Sequence, residues 1–161
     1  MEKRIQAIID SFSMDEHPEG GWYKELYRSA LNTSTSNGER SLLTSIYFLL
    51  SSNNSSNFHK IESDEIWYYH EGSSLSVHTI DHQGNYKILK VGMNIEAGEQ
   101  PQVLVPKGYI FGSTVTEENS YSLVSCAVAP GFDFEDFYLY KRKELLALFP
   151  QHKAIIERLT P

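Results

Sequence analysis

Between Phe58 and Gly72 the chain reads FHKIESDEIWYYHEG, and this stretch limits the possible folds more than any other. His59, Ile61, Glu65, Trp67 and Tyr69 fall on alternate positions, the two-residue period that places side chains on one face of a strand. That face combines an imidazole and a carboxylate with large apolar and aromatic groups. It reads as the wall of a mostly greasy interior holding two polar groups, with His70 on the opposite face. Gly72 closes the run. A second segment, GEQPQVLVPKGYIF (98–111), carries a Pro-x-Gly turn before its final aromatic residue.

Strand signals recur on both sides of this stretch. WYKELYRSA opens with Trp22, Lys24 and Leu26 on one face and Tyr23, Glu25 and Tyr27 on the other. SLLTSIYFLL (41–50) is almost continuously apolar. Residues 75–80 and 86–91 flank the turn DHQGN and predict a hairpin. Segments 103–105, 110–115 and 121–128 continue the series, with turn signals about ten residues apart, the spacing of an antiparallel sandwich or barrel. NTSTSNGE (32–39) and SSNNSSN (51–57) are polar and predict loops, the first a mobile one. At the N-terminus Ile5, Ile8, Ile9 and Phe12 follow a helical period over residues 2–12. At the C-terminus RKELLALF and KAIIERL predict two helices around Pro150, which opens the second. No internal repeat interrupts this order, and residues 1–161 read as a single domain.

The net charge of −7 disfavours nucleic acid or an anionic membrane as a partner, since both need a basic surface. The single cysteine, Cys126, allows no intramolecular disulfide and reads as a small apolar strand residue. The N-terminal MEKRIQAIIDSFSMDEH has no unbroken apolar stretch of a signal peptide, so a cytoplasmic location is expected. Aromatic residues make up 12% of the chain, which suits a β-rich core or an aromatic-lined pocket.

The two segments resemble the paired motifs of the cupins, Gly-x5-His-x-His-x(3–4)-Glu-x6-Gly and Gly-x5-Pro-x-Gly-x2-His-x3-Asn. His59, Glu65 and Gly72 match the first motif, and Pro106 and Gly108 the second. Ile61 and Phe111 stand where two of the four metal-binding histidines belong, and the gap from Gly98 to Pro106 is two residues longer than the motif. HPEGGWY (17–23), TSIYFLL (44–50), FHKIESDEIW (58–67) and VAPGFDFEDF (128–137) are similar to a cupin-5-like family of small bacterial and eukaryotic proteins without an assigned reaction. The resemblance implies an all-β double-stranded β-helix, the cupin jelly roll, with an N-terminal helix and short C-terminal helices. It also implies pairing of two copies into a homodimer.

Three kinds of chemistry suit these residues. A divalent metal would have only His59 and Glu65 as anchors, short of the three or four protein ligands such ions take. A metal-free isomerase or epimerase, as on some cupin-fold sugar-nucleotide enzymes, would use His59 as general base. Glu65 would hold its tautomer, and Tyr69 or Tyr138 would be the acid. A binding module would hold a small molecule against Ile61, Trp67 and Phe111, with His59, Glu65, Tyr69 and Gln102 as polar handles. The purely structural alternative is a buried, mutually bonded His59–Glu65 pair. His17 and Glu19 of the HPEGG segment lie either in a tight connection or at a pocket rim near Arg28. Phe132, Phe134 and Phe137 are expected to bury, leaving Asp133, Glu135 and Asp136 to water or to capping. His82 reads as a surface residue.

Overall fold

A computed structural model describes residues 1–161. Helix α1 (Glu2–Phe12) leads into strands β1 (Asp15–Glu16), β2 (Trp22–Arg28), β3 (Asn32–Thr35), β4 (Gly38–Ser41) and β5 (Thr44–Ser51). There follow β6 (Ser55–Lys60), β7 (Asp64–Gly72), β8 (Leu75–Ile80), β9 (Tyr86–Val91) and β10 (Gln102–Val105). Strands β11 (Ile110–Val115), β12 (Tyr121–Ala129) and β13 (Tyr138–Leu139) precede helices α2 (Arg142–Leu148) and α3 (Lys153–Arg158). Six strands form one sheet in the order β1-β2-β5-β12-β7-β10, and five form another in the order β13-β6-β11-β8-β9. This is the jelly roll that the motifs imply, and all the pairings within the two sheets are antiparallel.

Strand alternation sorts the apolar residues into three layers. Phe48, Leu50, Trp67, Val77, Phe111, Val124 and Cys126 belong to the core of the roll. Leu49 and Leu123, on the opposite parity, meet Ile8 of α1 outside the six-stranded sheet. Phe58, Ile80 and Ile110 meet Leu145, Ile156 and Leu159 of the C-terminal helices outside the other sheet. Strand β5 is covered on both faces, which accounts for its near-continuous apolar run. In β6 the same rule turns Phe58 toward the helices and His59 into the roll.

Two polar segments are more ordered than their composition predicts. Residues 32–39, expected as a mobile loop, form most of the β3–β4 hairpin, pairing Asn32 with Ser41 and Thr35 with Gly38. Both faces of this ribbon are polar, so it has no amphipathic alternation to betray it. The expected loop 51–57 shortens to a turn, because Ser55–Asn57 begin β6. In β2 a bulge between Glu25 and Tyr27 breaks the simple alternation. Tyr27 goes outward and Arg28 returns to the inner face beside Tyr23 and Glu25. Pro150 opens a short 3-10 turn (Pro150–His152) ahead of α3. No helix is long and apolar enough to cross a membrane.

Candidate functional site

A cavity of about 300 Å³ opens into the roll at the end where β2, β5, β7 and β12 meet the 128–134 segment. Ile46, Phe48, Ile61, Trp67, Val128, Phe132 and Phe134 supply most of its apolar wall. His17, Glu19, His59, Glu65 and Cys126 are ionisable groups of its interior, and Tyr23, Glu25, Arg28, Thr44 and Asp133 complete its lining.

Glu19 reaches this interior because of the two glycines that follow it. Gly20 and Gly21 have φ of 108° and 78°, in the left-handed region. A Cβ on Gly20 would stand 2.2 Å from the Ser55 carbonyl oxygen, and one on Gly21 2.8 Å from that of Leu49. The turn can therefore press against β5 and β6, where the Asn57 N–H donates to the Glu19 carbonyl at 2.7 Å. The Glu19 side chain is thereby delivered to His59, with Oε2 2.9 Å from Nε2. Its other oxygen accepts from the buried Ser56 hydroxyl at 2.8 Å. The Glu19 N–H donates to His17 Nδ1 at 3.2 Å, so that ring carries its proton on Nε2 when neutral.

Both nitrogens of His59 face oxygen acceptors. Nδ1 lies 2.7 Å from the Asn57 carbonyl, which only accepts, and Nε2 faces the Glu19 carboxylate. An ionised Glu19 therefore holds the ring as imidazolium, a donor on both sides. Burial opposes that charge most strongly. The Glu19 charge and hydrogen bond, the Asn57 carbonyl and the Glu65 charge outweigh it and hold the His59 pKa above the usual imidazole value. Burial also works against the Glu19 carboxylate, but His59, His17 and the bonds from His59 and Ser56 hold its pKa below the usual range. At His17 burial prevails over Glu19 and the pKa falls.

Glu65 is the exception among these groups. It is only 8% exposed, and no cation touches it. Burial pushes its pKa up to about 7, with His59 pulling down, Glu19 pushing up and the Cys126 thiol contributing a weak bond. Burial likewise drives the Cys126 thiol well up, with the Glu65 charge adding to it. Trp67, another wall residue, buries its indole N–H without a partner.

The structure brings together His59, Glu65, Ile61 and Trp67 on the cavity wall. Phe111 does not line the cavity but packs behind His59, its ring tilted 56° with centroids 4.2 Å apart. The expected His59–Glu65 pair is replaced by His59–Glu19, because the HPEGG turn brings a carboxylate directly to Nε2. Tyr69, Tyr138 and Gln102 do not line the cavity. The Tyr69 hydroxyl donates to the Gly72 carbonyl at 2.6 Å, and that of Tyr138 to Glu144 at 2.5 Å. Gln102 sits on β10, an edge strand, with its side chain exposed. His70 faces outward and meets Ser125. Asp136 spends its carboxylate on buried Arg40, at 2.8 Å, rather than on water.

The metal-binding motif positions hold His59, Ile61, Glu65 and Phe111. One imidazole has both nitrogens occupied, two positions are hydrocarbon, and no three His, Cys, Asp or Glu side chains gather in a metal-holding arrangement. This donor set does not fit a divalent cation.

The family model described as Cupin superfamily (DUF985) matches residues 6–140. The chain belongs to this family. The uncharacterized protein YML079W of Saccharomyces cerevisiae is 32% identical over 166 aligned positions, 93% of this chain and 82% of the yeast protein. The crystal structure of protein SO0799 from Shewanella oneidensis superposes with a TM-score of 0.91 at 43% identity, covering 97% of this chain and 96% of that one. A hypothetical protein from Leishmania major gives 0.91 at 39% identity, covering 96% and 97%. Oxalate decarboxylase from Bacillus subtilis, at 0.58 and 18% identity over 92% of this chain and 37% of its own, shares the fold alone.

Proposed function

We propose that this cupin binds a small molecule with a mostly apolar body inside the roll, against Glu65 and beside the Glu19–His59 pair. The observation that carries this reading is the Glu65 carboxyl, buried on a hydrocarbon-rich wall without a charged partner. Leaving a buried polar group so poorly satisfied lowers stability, and folds tolerate it mainly where a site needs it. The volume of about 300 Å³ is at the lower end for small-molecule sites, so the ligand is compact. A thermal-shift screen of small aromatic and alicyclic fragments tests the proposal. Bound fragments raise Tm in proportion to the logarithm of their concentration, and the shift disappears when Ile61→Trp fills the cavity. A screen in which no fragment moves Tm contradicts it.

A second reading, proton transfer at a carbon acid, is favoured by the place of Glu65, a carboxyl buried on the cavity wall where burial pushes its pKa up to about 7, the range suited to acid–base work. The doubly engaged ring makes Glu65, not His59, the proton carrier in this reading. Deuterium wash-in to small ketones, abolished in Glu65→Gln, is its expected signature; no exchange rejects it.

Pairing of two copies is supported by Leu26, Tyr27 and Leu31, exposed along the β2 edge and its continuation. Light scattering at twice the chain mass is the expected result.

A further inference from the structure

The charges of the cavity are unevenly matched. Its lining includes four carboxylic side chains, Glu19, Glu25, Glu65 and Asp133, and two cationic ones, Arg28 and His59. Both cations are taken. His59 faces Glu19 at 2.9 Å, and Arg28 grips Glu25 through two bonds of 2.9 and 2.8 Å while a third reaches the Phe132 carbonyl at 3.0 Å. Glu65 in the interior has no salt-bridge partner, whereas Asp133 at the mouth lies in the field of Arg28 and accepts from the Glu135 N–H at 2.8 Å. An anionic ligand would find no free cation and one unmatched carboxyl, Glu65. A positively charged ligand would find the Glu65 carboxyl and the rings of Tyr23, Phe48, Trp67, Phe132 and Phe134. Aromatic rings and a desolvated carboxylate are the two groups that hold an ammonium outside water.

We propose, resting on the small-molecule reading above, that the ligand is a compact organic amine, bound as its ammonium ion against Glu65 with its apolar body among the aromatic rings. Binding then requires Glu65 as carboxylate. The other groups facing Glu65 are His59 from β6, Glu19 from the turn before β2, and Cys126 from β12. His59 and Glu19 form a pair of their own, and the thiol stays protonated, so Glu65 is the group that changes charge as the amine enters. Amine binding releases a proton below neutrality and strengthens with rising pH. A neutral ligand that accepts a hydrogen bond from the Glu65 acid shows the opposite trend.

Benzylamine, benzyl alcohol and benzoate share one ring and differ in charge, and calorimetric titration of each across about pH 5.5 to 8.5 tests the proposal. The expected result is that benzylamine binds best at about pH 8 and loses roughly tenfold in affinity per pH unit below the Glu65 titration. Glu65→Gln is expected to weaken benzylamine about tenfold or more and to remove the pH dependence of its affinity across this range. Alcohol or benzoate binding as tightly as the amine, or affinity for the amine that falls with rising pH, overturns the amine assignment and leaves the small-molecule reading standing. Failure of all three at millimolar concentration overturns the amine assignment, while the fragment screen decides the small-molecule reading separately.

Discussion

Two histidines are buried in the same five-stranded sheet, His59 on β6 at 3% exposure and His78 on β8 at 4%. His59 faces the cavity and a carboxylate. His78 faces outward beneath the C-terminal helices, its Nδ1 2.7 Å from the Tyr86 hydroxyl and its Nε2 3.0 Å from that of Thr114. Burial dominates at His78, with Arg158 adding to it, and lowers its pKa to about 4. At His59 burial is overcome, and the pKa rises. Equal burial thus yields a neutral ring held by hydroxyls and a charged ring held by a carboxylate. The partner decides the charge, and the charged one lies where a ligand would meet it.

The comparison breaks most sharply at Glu19. Glu19→Gln removes the partner of a buried charge, and the expected loss is about 3–5 kcal/mol in urea unfolding, with the His59 midpoint falling below its ordinary value. A loss under about 1 kcal/mol would mean that the pair is not as described. Next comes Glu65. Its folded pKa lies above the unfolded value, so its contribution is fully present below the usual carboxylate range and declines as pH rises to about 7. Over that interval the decline is about 3 kcal/mol, and Glu65→Gln is expected to abolish it and to be the more stable protein above neutrality. His78 has the opposite sign. Its depressed pKa stabilises the fold above the ordinary imidazole range and is lost as pH falls toward about 4. Tyr86→Phe, which removes one neutral bond to His78, is expected to cost about 1 kcal/mol, well short of the Glu19 effect. The smallest change is Tyr138→Phe, at the surface and off the cavity. It is expected to shift stability by less than about 1 kcal/mol and to leave fragment binding unchanged.

Strands were legible because their faces differ. Alternation in 58–72 gives the inward parity of His59, Glu65 and Trp67 and the outward parity of His70, all as the structure has them. The β3–β4 ribbon has no such contrast, so its polarity suggests a loop. At the site, period and spacing reach only residues on one strand. They suggest a His59–Glu65 partnership, whereas the true partner arrives from a turn forty residues upstream. A signal was present in HPEGG: two glycines after Glu19 imply a close backbone approach, and Glu19 and His17 fall at the pocket as one reading of that segment has it. What the glycines do not disclose is which strand they approach. Nor does sequence disclose the bulge that swaps Tyr27 for Arg28 at the cavity, since inserting one unpaired residue leaves no mark on composition.

The central claim is that a carboxyl stands in the roll without a charged partner, close to an imidazolium that already has one. Carbon-13 NMR of side-chain-labelled glutamate, followed through a pH titration, tests it most directly. The account predicts one carboxyl with a midpoint of about 7 that is missing from Glu65→Gln. If every glutamate titrates within the ordinary carboxylate range, the claim is contradicted.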